Sequence, residues 1–152
     1  AEENSGKLVS LVRQEAKKLG VEKNLDLILT DGPPGIGCPV IAAIGGASAV
    51  LIVAEPTVSG KHDLERVARL AAHFNVPAMI CINKFDLNPN LSESIETLAE
   101  GMGLSCIGRI PFDPTVTKSM VQARNVIEYA PKSIAGRAVK EVWESVSQTL
   151  KL

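Results

Sequence analysis

No two of the three cysteines, Cys38, Cys81 and Cys106, stand at C-x-x-C spacing. That removes the sequence grounds for a zinc site, an iron-sulfur cluster or a redox dithiol built from them. Their odd number and wide separation, two of them inside apolar runs, fit reduced thiols of a cytoplasmic protein. No apolar run reaches the roughly 18 residues that a membrane helix requires, and no charged-then-apolar leader opens the chain. A soluble protein with no direct membrane anchor is the expectation. Charge of one sign is also lacking: 16 Lys and Arg stand against 17 Asp and Glu, a formal net charge of -1. Such a chain has no overall field to gather nucleic acid or an anionic bilayer, so an anion must be held by local geometry. Linkers and low-complexity tracts are missing. So is an initiating Met: Ala1-Glu2-Glu3-Asn4 runs straight into a helical pattern, as in a fragment or a processed product.

What is present is the core of one domain. The 152 residues are 45% apolar and 22% charged, which suits a single α/β unit over 1–152. Leu8, Val9, Val12, Ala16 and Leu19 recur at helical spacing, with Ser5 placed to cap the start and Gly20 to end it. Residues 25–30 (LDLILT) are short, aliphatic and followed by Gly and Pro, the pattern of a strand entering a loop. β-α alternation then predicts strands over 49–54, 77–83 and 104–110, and helices over 59–73 and 91–102. A closing helix is expected over 131–152, with Ile134, Ala138, Val142, Val146 and Leu150 at a four-residue repeat. The strands are nearly continuously apolar, which predicts cover on both faces. The fold class is therefore three-layer α-β-α with a mostly parallel sheet of about four strands and right-handed crossovers.

In an open parallel sheet, ligands bind at the carboxyl ends of the strands. The residues there are distinctive. Residues 31–39 read Asp-Gly-Pro-Pro-Gly-Ile-Gly-Cys-Pro. Asp31 at a strand tip can hold a Mg²⁺-bound water, and Gly35 and Gly37 leave backbone N–H groups free to approach a terminal phosphate. A tight turn capped by Asp31 explains the same residues equally well. Asn83-Lys84-Phe85-Asp86 has the N-K-x-D spacing with which many nucleotide-binding proteins read a base, the amide and carboxylate pairing with the ring edge and the Lys stem lying along its face, although an Asn-x-x-Asp loop start is also a common turn. Ile110-Pro111-Phe112-Asp113-Pro114 can pass its backbone beside the same base, although Asp113 before Pro114 is also an ordinary helix start.

Four segments, LILTDGPPGIGCPV, LIVAEPTVSGKHDLERV, ICINKFDLN and IGRIPFDPTVTKSMVQARNVIEYAP, follow in that order and spacing. They resemble the MinD/ParA/Mrp branch of the deviant-Walker P-loop ATPases, and in particular MinD-like ATPases with an inserted ferredoxin domain. The resemblance covers nearly the whole chain. It implies a P-loop NTPase-like fold, incomplete at its N-terminus, that binds Mg and ATP or ADP at a homodimer interface. By it Asp31 corresponds to the Walker B acid, Gly35 to the switch II glycine, Asn83 to the adenine contact and Pro111 to the residue flanking the base. Glu55-Pro56-Thr57 matches a loop near the dimer surface.

Two Gly-Lys pairs invite assignment as the phosphate loop. Gly6-Lys7 offers Leu8 where the metal-binding hydroxyl belongs, no strand precedes it, and Glu2 and Glu3 repel phosphate. Gly60-Lys61 follows a strand but offers His62. Neither fits, so the resemblance places the Walker A loop, and any iron-sulfur module, upstream of Ala1. His62 and His73 read as solvated, Cys38 as a small buried thiol, Trp143 as core, and Lys132, Arg137 and Lys140 as a solvated helix face. A GTP-binding protein, suggested by N-K-x-D, and a non-catalytic α/β dimerisation module are the alternatives.

Overall fold

A computed structural model describes residues 2–152. Ala1, and the side chains of Glu2 and Glu3 whose charge counted against the first Gly-Lys pair, lie outside the described residues. The elements are α1 (Glu2–Glu22), α2 (Cys38–Ile44), β1 (Val50–Ala54), α3 (Val58–His73), β2 (Ala78–Asn83), α4 (Pro89–Gly101), β3 (Ser105–Ile110), α5 (Pro114–Val121), α6 (Val126–Tyr129) and α7 (Ile134–Leu150). The strands form one parallel sheet in the order β1-β2-β3.

Strand alternation sorts β2 onto two faces. Ile80 and Ile82 join Ile52 and Ala54 of β1 against Leu64 and Ala68 of α3 and Ile95 and Ala99 of α4. Met79 and Cys81, also buried, point the other way. On that second side α7 lies over β3, where a side chain on Gly108 would come within 2.5 Å of Val142. Glycine is what lets the helix approach so closely. A three-layer α-β-α arrangement with a parallel sheet results, as expected. Cover is incomplete over β1, whose Leu51 and Val53 are exposed on the side away from α3.

Helix starts follow the capping rules. Thr57 Oγ1 accepts the Gly60 N–H at 2.9 Å, Asn88 Oδ1 the Leu91 N–H at 3.2 Å, and Ser133 Oγ the Gly136 N–H at 3.0 Å. These side chains fix the first turns of α3, α4 and α7.

Several expectations are corrected. Residues 25–30 form no strand; Leu25, Leu27, Ile28 and Leu29 are exposed, and the segment pairs with none of the strands among the described residues. A strand exists only through a ladder partner, which local aliphatic content cannot supply. α1 starts before Ser5 and runs past Gly20, because the left-handed residue that ends it is Asn24, at φ 50. Trp143 is 46% exposed and Ile134 is 50% exposed, since Ala135, Ala138 and Val142 form the inward stripe of α7. Cys38 is exposed at the first position of α2.

Candidate functional site

Strand register assembles the rim. Ala54 is paired with Ile82, and Asn83 with Ile110. Because all three strands are parallel, Glu55, Lys84 and Pro111 leave the sheet at the same edge. Lys84 turns the chain at once, in the left-handed region at φ 56 and ψ 39. Its ammonium meets Glu55 Oε1 at 2.7 Å. This ion pair, which the sequence shows only as opposite charges after neighbouring strands, joins the loops of β1 and β2. The Lys84 head is thus directed to Glu55. A 3-10 turn, Phe85–Leu87, follows, and the Phe85 carbonyl accepts the Ser92 hydroxyl at 2.8 Å.

The next loop is fastened to this one. Asp86 Oδ1 accepts the Phe112 N–H at 2.7 Å across 26 residues of chain. Asp113 faces inward: Oδ1 accepts the Thr115 N–H at 2.8 Å and Oδ2 the Ala135 N–H at 3.2 Å, tying the starts of α5 and α7 together. The hydrogen bonds from Thr115, ahead of those from Ala135 and Ser133, outweigh its burial and lower its pKa below the ordinary carboxylate value. Both oxygens of Asp113 are therefore engaged in folding. Asn83, half-buried, makes no side-chain hydrogen bond among the described residues. Under the rim, Arg109 forks onto Glu96 of α4 and lies 5.8 Å from the Phe85 ring centre. That brace joins β3 to α4 and to the Phe85–Leu87 turn and was missed in the sequence, where Arg109 reads as one polar interruption of an apolar strand.

The 31–37 loop stands apart. Asp31 is exposed and takes no hydrogen bond or ion pair among the described residues. Gly35 has φ +85, a conformation that L side chains rarely adopt, with open space around its Cα. The loop leads into α2, whose far end is clamped by Arg13: its Nη1 donates to the Ala42 carbonyl at 2.6 Å and the Gly45 carbonyl at 2.5 Å. No hydrogen bond joins this loop to Asn83 or Pro111, so the structure brings together Asn83, Lys84, Asp86 and Pro111 but leaves Asp31 and Gly35 unattached to them.

Of the Gly-Lys pairs, Gly6 and Lys7 lie within α1 and Gly60 and Lys61 in the first turn of α3, where Lys61 Nζ reaches Ser94 Oγ at 2.5 Å. His62 and His73 are exposed, as are Lys132, Arg137 and Lys140. Among the described residues no cluster of three His, Cys, Asp or Glu is placed to cage a metal. A single acid is nevertheless enough for Mg²⁺, which keeps several waters and takes one or two carboxylates plus phosphate oxygens.

No family model matches the chain. It is 30% identical over 147 residues to an uncharacterised protein of Methanocaldococcus jannaschii, covering 97% of this chain and 48% of that protein. It is 28% identical over 139 residues to the chloroplastic septum site-determining protein MinD homologue of Arabidopsis thaliana, covering 88% and 43%. The solved MinD cell division protein of Aquifex aeolicus superposes with a TM-score of 0.73 at 21% identity, over 97% of this chain and 61% of that one. The fold is that of the MinD/ParA superfamily. The chain spans about half the length of the curated relatives it matches. No helix among its described residues is long and apolar enough to cross a membrane.

Proposed function

We propose that this chain is the adenine- and Mg-facing portion of a MinD-like ATPase. The observation that carries the reading is the register of Asn83 with Ile110, which sets an uncommitted amide beside the Pro111 loop at the ligand-binding edge of a parallel sheet. A side-chain amide offers one donor face and one acceptor face, the complement of the N6 amino group and N7 of adenine. Pro111 and the backbone of Phe112 flank the base. Asp31 would hold the Mg²⁺ that accompanies ATP through a bound water, and Gly35 would leave its N–H free for the terminal phosphate. Bound Mg²⁺ supplies charge neutralisation at the phosphates; the chain's part is to position it.

The wider activity follows from the resemblance: slow ATP hydrolysis at a homodimer interface, in a cytoplasmic protein that carries its Walker A loop, and an iron-sulfur module, in the remainder of the polypeptide. A similar solved structure, the MinD of Pyrococcus horikoshii, is complexed with Mg-ADP, which supports the choice of cofactor. The test is Asp31→Ala in a polypeptide that joins this chain to a phosphate loop. Mg-dependent ATP hydrolysis is expected to fall by at least about 100-fold. Unchanged turnover refutes the assignment of Asp31 and favours the non-catalytic module.

A further inference from the structure

We propose that α1 and α2 form one arm clamped by Arg13, and that this clamp sets the position of the 31–37 loop. The seam between the two helices is legible along α1. Gly6 and Gly20 are buried and Val9, Arg13 and Ala16 half-buried, while Leu8, Leu11, Val12 and Leu19 are exposed. Residues 6, 9, 13, 16 and 20 recur at alternating spacings of three and four, which is one narrow stripe of a helix. Glycine at its two ends allows close approach. A side chain on Gly6 would come within 3.1 Å of the Cys38 side chain, and one on Gly20 within 3.4 Å of Ile28. α1 therefore meets the chain on both sides of the acidic loop, at Ile28 before it and at Cys38 after it. Midway along the stripe, Arg13 Nη1 reaches the far end of α2 and donates to the Ala42 carbonyl at 2.6 Å and the Gly45 carbonyl at 2.5 Å.

α2 depends on these contacts. It has seven residues and no side-chain hydrogen bond at its N-cap, Gly37, and an isolated helix in water needs roughly 12–15 residues. The Arg13 guanidinium satisfies two carbonyls that the helix end leaves over and brings positive charge to the negative end of its dipole. On its other side α2 rests on Ala71 and Val76 through Val40 and Ile44. Past Gly45 the chain turns through Gly46, left-handed at φ +71 with open space around it, before it enters β1. The arm thus joins the sheet by a glycine turn and an apolar contact, and a shift of α1 is carried to both ends of the loop that holds Asp31 and Gly35. What such a shift does to Mg²⁺ rests on the function proposed above; the arm itself does not.

The experiment is amide hydrogen exchange and amide shift mapping of the ¹⁵N-labelled chain without nucleotide, which keeps its outcome separate from the Mg²⁺ reading. In the native chain the best-protected amides of α1 and α2 are expected to open with equilibrium constants alike within about threefold, as one cooperative unit. Arg13→Ala should speed exchange in both helices by at least about tenfold and leave Ile80 and Ile82 of β2 unchanged. It should also move the Gly35 and Gly37 amides, which lie beyond the other end of α2, about 10 Å along its axis from the clamp. Arg13→Lys, which keeps the charge but not the guanidinium, should fall between the native chain and Arg13→Ala. If Arg13→Ala loosens β2 as well, Gly6→Ala decides: it presses on Cys38 at the other end of the seam and should shift the Gly35 and Gly37 amides together with those of Ala42 and Gly45. Loosening of α1 while α2 keeps its protection overturns the proposal, and so do Gly35 and Gly37 amides that stay in place in both variants.

Discussion

The β2–β3 rim and the 24–37 segment hold the two halves of the proposed site, and they are built in opposite ways. At the rim, Asn83 and Ile110 are fixed by strand pairing, Asp86 and Asp113 by hydrogen bonds that cross 26 and 22 residues, and Arg109 by a fork onto Glu96. The 24–37 segment is comparably aliphatic, yet Leu29 is 83% exposed and Asp31 touches no partner, while Ile82 on β2 is fully buried. The comparison shows that an aliphatic run becomes a strand only where a neighbouring strand takes its N–H and C=O groups. A site residue is fixed to the same degree as the element that carries it.

The sharpest way to break the comparison is mutation of one aliphatic residue in each region. Ile82→Ala is expected to cost about 2–5 kcal/mol and Leu29→Ala no more than about 0.5 kcal/mol, read from urea denaturation. Similar costs at both sites would show that 25–30 is packed as firmly as β2. Amide exchange gives the next largest contrast: the Leu29 N–H should exchange several orders of magnitude faster than that of Ile82.

Acid sharpens the rim's side of the comparison. The pKa of Asp113 is lowered in the folded chain, so the stabilisation it brings is present above its unfolded value, near 3.9, and is lost as pH falls through the folded value. Asp113→Asn should be less stable than the native chain at neutral pH, and the gap should close as pH drops below about 4. A gap constant with pH would mean the charge on Asp113 is irrelevant.

Thiol labelling adds a kinetic contrast. Cys38, exposed beside the 31–37 loop, should react first. Cys106 should lag, because burial raises its pKa, and Cys81, pushed up to about 11 by burial and then by Cys106, should wait for unfolding. The smallest effect is expected at the Glu55–Lys84 pair: both groups are partly exposed, and a double-mutant cycle should return no more than about 1 kcal/mol of coupling.

Much of this was legible in the sequence where the signal is local. Thr57, Asn88 and Ser133 mark helix starts by their own side chains, and the apolar runs of β1, β2 and β3 end within a residue or two of the expected limits. Cys38 and Trp143 were misjudged because their burial depends on what packs over α2 and α7, which periodicity does not report. The two carboxylates show the same limit at the site. Asp113 read as a helix start, and it caps α5, but its second oxygen belongs to the start of α7; Asp86 read as a base contact, and the sequence did not show that its Oδ1 also accepts the Phe112 N–H. Both outcomes turn on contacts distant in sequence.

The most direct test of the central proposal, a base site on one rim of this sheet with an unanchored acidic loop beside it, is an amide map of the ¹⁵N-labelled chain titrated with ATP, with and without Mg²⁺. The predicted result is saturable shifts at 83–86 and 110–113 in both titrations, joined by 31–37 only when Mg²⁺ is present. Shifts confined to the groove between α1 and α2, or at the opposite edge of the sheet, would contradict it.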